Sequence, residues 1–222
     1  MSNQRKKKLG KSNIAVEIDG PMKDTVIAIE LIKKLLKINK IKLDLSIAYD
    51  FEYEDLGMYL PNDGDQSFRI FVNPFNCKYV EDVETNKTDE IFARGYTSDL
   101  TLFGVTIHEF CHLLQYQVYP DIVLEYAKDF PIDRFYLNDY ANNDLLDELA
   151  EIMTLYITNP FLLKMISEPH YKFCKKFFKS PVSCTDSQCQ YIYKKFPIRV
   201  KEHMKSYWKI GLDIEHDCFV RL

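Results

Sequence analysis

Residues 98–117 constrain this chain more than any other stretch. Phe103, Ile107, Phe110 and Leu114 recur at the three-and-four spacing of one helix face, so the stretch reads as a helix that stops before Pro120. Cys111 and Leu113 widen the apolar face. A helix apolar around most of its girth has to be surrounded by other elements. Its narrow polar side carries His108 and His112, shared by Thr101, Gly104 and Gln115. Any fold for this chain must bury that helix and still bring its two histidines to a cleft.

The rest of the chain can supply such surroundings. It has 222 residues, 46% of them hydrophobic and 28% charged, which is a globular composition. A chain of this size buries roughly 70% of its unfolded surface and needs no staples to fold. Its formal charge of -4 carries no basic field of the kind that nucleic-acid binders present. The run Arg5–Lys8 is the local exception and reads as part of a solvated, disordered tail over residues 1–13. No apolar run reaches the roughly 18 residues of a membrane span, and no signal-peptide core follows the basic start, so an intracellular protein is expected. The six cysteines, at 77, 111, 174, 184, 189 and 218, include no Cys-x-x-Cys pair and read as thiols, with a 184–189 disulfide open if the protein is exported. Cys111 lies away from the histidine side and reads as a core thiol. The sequence carries no signal for an oligomeric state.

A helix is predicted after Gly20-Pro21, on the spacing of Val26, Ile27, Leu31, Leu35 and Ile38. Strict alternation of Ile41, Leu43, Leu45 and Ile47 predicts a half-buried strand over 41–49. Residues 61–66 form a turn cluster, and 67–73 a second strand ended by Pro74. Past Pro120, a helix over 121–130, a loop over 131–143 and a helix over about 144–158 follow. Beyond residue 160, two or three amphipathic helices rich in Lys and Phe are expected. Strands and helices are segregated, which is α+β organisation. The expected division is the tail, one domain over 14–160 and a helical extension over 161–222 packed on it.

His108 and His112 are separated by about 40° around the helix axis and by one turn along it, so both rings can hold one zinc ion. Glu109, about 100° away, stays off the metal but near a water and can act as a general base. A catalytic zinc needs a third protein ligand and one open position. His170, His203 and His216 lack the short spacing after His112 that a three-histidine site has. The run Asp147-Glu148-Leu149-Ala150-Glu151, starting 35 residues after His112, fits better. Asp147 and Glu151 share one side of their helix, so one can ligate while the other accepts a ring N–H. Glu148, about 100° off that side, is the second choice of ligand.

The motif His108-Glu-Phe-Cys-His112, with Tyr140-Ala-Asn-Asn-Asp-Leu-Leu-Asp147-Glu-Leu-Ala-Glu151 after it, resembles the gluzincin peptidases related to the anthrax lethal factor catalytic domain. It also resembles the small phage- and virus-encoded zinc peptidases with the same pattern. The resemblance spans about residues 57–160 and is strongest over 104–160. It implies a zincin-like α+β fold, with a small N-terminal sheet, the active-site helix and a mainly helical C-terminal part. It also implies hydrolysis of a polypeptide substrate by Zn²⁺-activated water. The roles it implies are ligation by His108, His112 and Asp147, general base catalysis by Glu109, orientation by Glu151 and an oxyanion hydrogen bond from Tyr140. The family usually has Glu where this chain has Asp147, which keeps Glu148 in play as the ligand. The strand at 67–73 stands where the substrate-binding edge strand of zincins does. The alternative is a zinc-binding structural or interaction protein that keeps the fold without proteolysis.

Overall fold

The computed structural model describes residues 14–17, 23–49, 57–60, 67–72, 102–131, 144–158, 160, 163–164, 167–181, 210–213 and 218–221. The expected tail, the 61–66 turn, the 131–143 loop beyond its first residue (Tyr140 included), His203, His216 and the 184–189 pair lie outside those residues.

The chain starts with a strand–helix–strand unit. Strand β1 (Ile14–Glu17) leads into helix α1 (Lys23–Ile38), which returns to β2 (Asp44–Tyr49), parallel to β1. Parallel strands need a crossover of this length, and the helix supplies it. Helix α1 buries Ile27, Ala28, Leu31, Ile32, Leu35 and Leu36, a stripe that repeats every four residues. It ends at Lys40, whose φ of 56° is left-handed. There Ile41 N–H reaches back to Leu36 O at 2.9 Å and Lys40 N–H to Lys37 O at 3.3 Å, closing a Schellman turn. This turn consumes Ile41–Leu43, so β2 begins three residues later than the alternation suggests.

Strands β3 (Gly57–Leu60) and β4 (Ser67–Val72) complete a four-stranded sheet in the order β1-β2-β4-β3. β4 pairs parallel with β2 and antiparallel with β3. The strand expected at the edge, 67–73, is therefore interior, and β3 takes the edge. The reason is pairing order: β4 lies between two partners, which its own residues do not encode.

Helix α2 (Leu102–Leu113) packs on β3, β4 and α1, and runs into a wider π turn (Leu114–Val118) closed by Tyr119 N–H on Leu114 O at 2.8 Å. Helices α3 (Ile122–Asp129) and α4 (Leu145–Thr158) follow, and α4 lies against α2. Every residue of α4 from Glu148 to Thr158 is buried. Helix α5 (Glu168–Phe177) packs on α4, where Tyr171 meets Tyr156, and buries Phe173 and Cys174. The segment after it is fastened to the rest of the domain. Tyr156 Oη donates to Phe178 O at 3.0 Å, while the Asn39 side chain donates to Lys179 O at 3.0 Å and accepts from Lys179 N–H at 2.7 Å. Beyond α5 the described residues add an antiparallel pair, β5 (Ile210–Asp213) with β6 (Cys218–Arg221), where helices alone were expected. The architecture is α+β. Among the described residues no helix is long and apolar enough to cross a membrane.

One hydrophobic core takes residues from α1, β2, β4, α2, α3, α4 and α5. Phe173 belongs to it and is only 5% exposed. Phe173→Ala is expected to cost about 3–5 kcal/mol of stability in urea denaturation, within a single transition. A separate early transition for the C-terminal part would show instead that it folds apart from the core.

Candidate metal centre

Helix α2 is held on three sides, and its buried face follows its apolar residues. Phe103, Ile107, Phe110, Cys111, Leu113 and Leu114 are all buried. Cys111 is a core thiol, as its place on the helix suggests. Burial pushes its pKa well up, and Thr154 Oγ1 donates to its sulfur at 3.6 Å. The remaining side of α2 faces α4, where His108 and His112 meet Asp147 and Glu151.

Three donor atoms converge there. His108 Nε2 and His112 Nε2 stand 3.1 Å apart. Asp147 Oδ1 lies 3.2 Å from His112 Nε2 and 3.7 Å from His108 Nε2. Donors set tetrahedrally around zinc at about 2.0–2.1 Å stand roughly 3.3–3.4 Å from one another, so this triangle has the size of one face of a zinc tetrahedron. Residues His108, His112 and Asp147 together could hold a metal ion. The Asp147 side chain is 23% exposed, so the face reaches solvent on that side. A fourth position there can take water or substrate.

The outer nitrogens of both rings are engaged. Glu151 Oε1 lies 2.6 Å from His108 Nδ1. A carboxylate accepts, so Nδ1 carries a proton there and Nε2 is turned to the centre. Gln115 Oε1 lies 3.2 Å from His112 Nδ1. Burial works against a charge on His108, but hydrogen bonds to Asp147 and Glu151 and the charges of Glu151 and Glu109 outweigh it and push its pKa up to about 10. Burial likewise works to raise Asp147, yet the two imidazoles hold its carboxyl well below the usual carboxylate range. Glu109 is buried, 7% exposed, on the same helix turn as His108.

Of the acids on α4, Asp147 faces the histidine pair and Glu151 faces the back of His108. Glu148 points elsewhere. Fully buried, it accepts a hydrogen bond from Tyr126 Oη at 2.7 Å. Tyr126 Oη in turn lies 3.1 Å from His170 Nε2, and Ser167 Oγ lies 2.7 Å from His170 Nδ1. The donor order is then Ser167 to His170 to Tyr126 to Glu148, with a neutral imidazole in the middle. His170 stacks on Phe130 at 4.2 Å, and burial pushes its pKa down to about 4. The alternative third ligand, Glu148, is thus engaged in a core network, about 100° round the helix from Asp147. Tyr126 and His170 gave no sign of this partnership in the sequence, because it joins three helices.

No family model and no curated protein matches this sequence. One solved structure is similar, that of "a putative zinc-binding metallo-peptidase" from Bacteroides caccae, at 15% identity and a TM-score of 0.32, over 91% of this chain and 82% of that one. At that level the likeness assigns neither a family nor an activity to this chain.

Asp147→Ala is expected to weaken zinc binding by at least about 100-fold, more than loss of an outer hydrogen-bond partner costs. Glu148→Gln should leave zinc affinity within a few-fold and lower stability instead. Chelator competition and denaturation on both variants check this, and the reverse pattern would make Glu148 the ligand.

His170 also sets a pH dependence. Its folded pKa of about 4 lies below the ordinary histidine value of 6.5, so between those values the unfolded chain binds more protons. Stability contributed by neutral His170 is therefore present above pH 6.5 and lost as pH falls toward 4, at up to about 1.4 kcal/mol per pH unit. Urea midpoints for wild type and His170→Gln across that window should converge as the pH falls. A constant gap would contradict the assignment.

Proposed function

We propose that this chain is a zinc-dependent peptidase of the gluzincin type, with His108, His112 and Asp147 as ligands. The observation that carries the reading is the donor triangle, closed by two imidazoles whose outer nitrogens are both held by acceptors. An adventitious histidine pair on a solvated helix has no reason to be oriented from behind in this way. The donor set, two neutral nitrogens and one carboxylate oxygen, suits zinc.

When bound, zinc supplies Lewis acidity, which lowers the pKa of a water and polarises a carbonyl oxygen. Glu109 takes the water proton and passes it to the leaving amine, so the base becomes the acid that completes bond cleavage. Glu151 keeps the His108 ring turned to the centre. Tyr140, which lies outside the described residues, has the role that the resemblance implies, a hydrogen bond to the developing oxyanion. The polypeptide substrate runs along β3. That strand is antiparallel to β4 on one side, and no strand pairs with its other side among the described residues. An extended peptide can add there through main-chain hydrogen bonds.

The decisive experiment pairs metal content with turnover. Purified wild type is expected to hold about one zinc per chain by elemental mass spectrometry. Glu109→Gln should keep that zinc and lose hydrolysis of a peptide library. Zinc in both proteins with no hydrolysis in either would favour a zinc-binding protein without proteolytic function. Hydrolysis retained by Glu109→Gln would overturn the role given to Glu109.

A further inference from the structure

Gln115 has three partners, and together they decide more than its own position. It is 1% exposed, following two fully buried leucines at the start of the π turn. π turns inserted in α-helices are frequent at functional sites. A buried primary amide has to satisfy one acceptor and two N–H donors. Its Nε2 lies 3.0 Å from Leu146 O and 3.9 Å from Met153 Sδ. A main-chain carbonyl can only accept, so the amide nitrogen must be on that side, and the amide oxygen faces His112 Nδ1. That oxygen accepts only from a protonated Nδ1. The orientation of the amide thus fixes the tautomer of His112, with the Nε2 lone pair aimed at the donor triangle.

The other end of the amide holds the peptide that leads into Asp147. Gln115 therefore spans from one ligand's ring to the backbone beside another ligand, linking α2 to the first turn of α4. Glu151 does the corresponding service for His108 with a charge, and Gln115 does it for His112 without one.

We propose that Gln115 is a positioning residue of this metal centre: its amide oxygen holds the His112 ring in the ligating tautomer. The inference rests on the zinc reading above. It acts through His112 and touches no substrate.

The test compares wild type, Gln115→Met, Gln115→Glu and Met153→Leu, each first shown to be folded by circular dichroism in the metal-free form. Zinc affinity is measured by competition with a chromophoric chelator, and the visible bands of the Co²⁺-substituted proteins report the ligand field. Gln115→Met keeps the length and loses the acceptor. It is expected to bind zinc about 10–100-fold more weakly, with shifted Co²⁺ bands. Gln115→Glu keeps the acceptor and should recover affinity to within a few-fold of wild type. Met153→Leu disturbs the packing beside the amide without touching the acceptor and should bind as wild type does. Wild-type affinity and bands in Gln115→Met would overturn the proposal, as would an equal loss in Gln115→Glu or Met153→Leu. If Gln115→Met does not fold, Gln115→Ala, which also lacks the acceptor, takes its place with the same expected loss. Failure of wild type to bind zinc at all would remove the metal centre itself, an outcome visible without any variant.

Discussion

The contact between Glu151 and His108 is the constraint to which the rest of the structure conforms. It places a fully buried carboxylate 2.6 Å from an imidazole, between two packed helices. Removing such groups from water costs several kcal/mol per ion, and a well-packed apolar pair would serve stability at least as well. Its place here follows from what it does to His108. It turns one ring nitrogen away from the centre, and so leaves the other to face His112 and Asp147. The same contact sets the rotation of α4 about its own axis, since Glu151 cannot leave His108 without stranding a buried charge. Once that rotation is set, Asp147, one turn earlier, comes to the histidines, and Glu148 is carried round to Tyr126.

Three carboxylates within five residues therefore have three surroundings. Asp147 is partly exposed at the centre, Glu151 is dry behind it, and Glu148 is dry on the far side among Tyr126 and His170. Helix α4 can bury two of them because each has an O–H or ring nitrogen at hydrogen-bond distance. The result ties α3 and α5 into the same framework as the site. Helix α5 belongs to the segment expected as an extension packed on the domain, and it supplies His170 to this network and Phe173 to the core.

The pieces legible in the sequence are those with local geometry. The histidine pair, the offset of Glu109 and the shared side of Asp147 and Glu151 all follow from helix periodicity. So do the buried stripe of α1 and the core place of Cys111. Pieces set by long-range pairing were not legible. Strand β4 reads as a strand from its own residues, but its interior place depends on β2 and β3, and β1 and β3 are too short, at four residues each, to show a period. The choice between Asp147 and Glu148 needed the tertiary partner Tyr126, 22 residues upstream in α3. Gln115 was visible as a polar residue on the histidine side. Its function was not, because the partner that orients its amide is a main-chain carbonyl of α4, and no side-chain pattern records a carbonyl.

Asp147 has a short side chain, so its carboxylate stays close to its own helix. The arm then reaches both imidazoles at 3.2 and 3.7 Å. Charge points the same way as reach. Burial disfavours a charge on His108, while its hydrogen bonds to Asp147 and Glu151 and the charges of Glu151 and Glu109 favour the protonated ring. A divalent cation at the same point offsets the carboxylates more fully, and it uses the Nε2 lone pair that the proton otherwise takes. His108, His112 and Asp147 could hold a metal ion, and they come together because the face of α4 that carries Glu151 to His108 carries Asp147 to both rings.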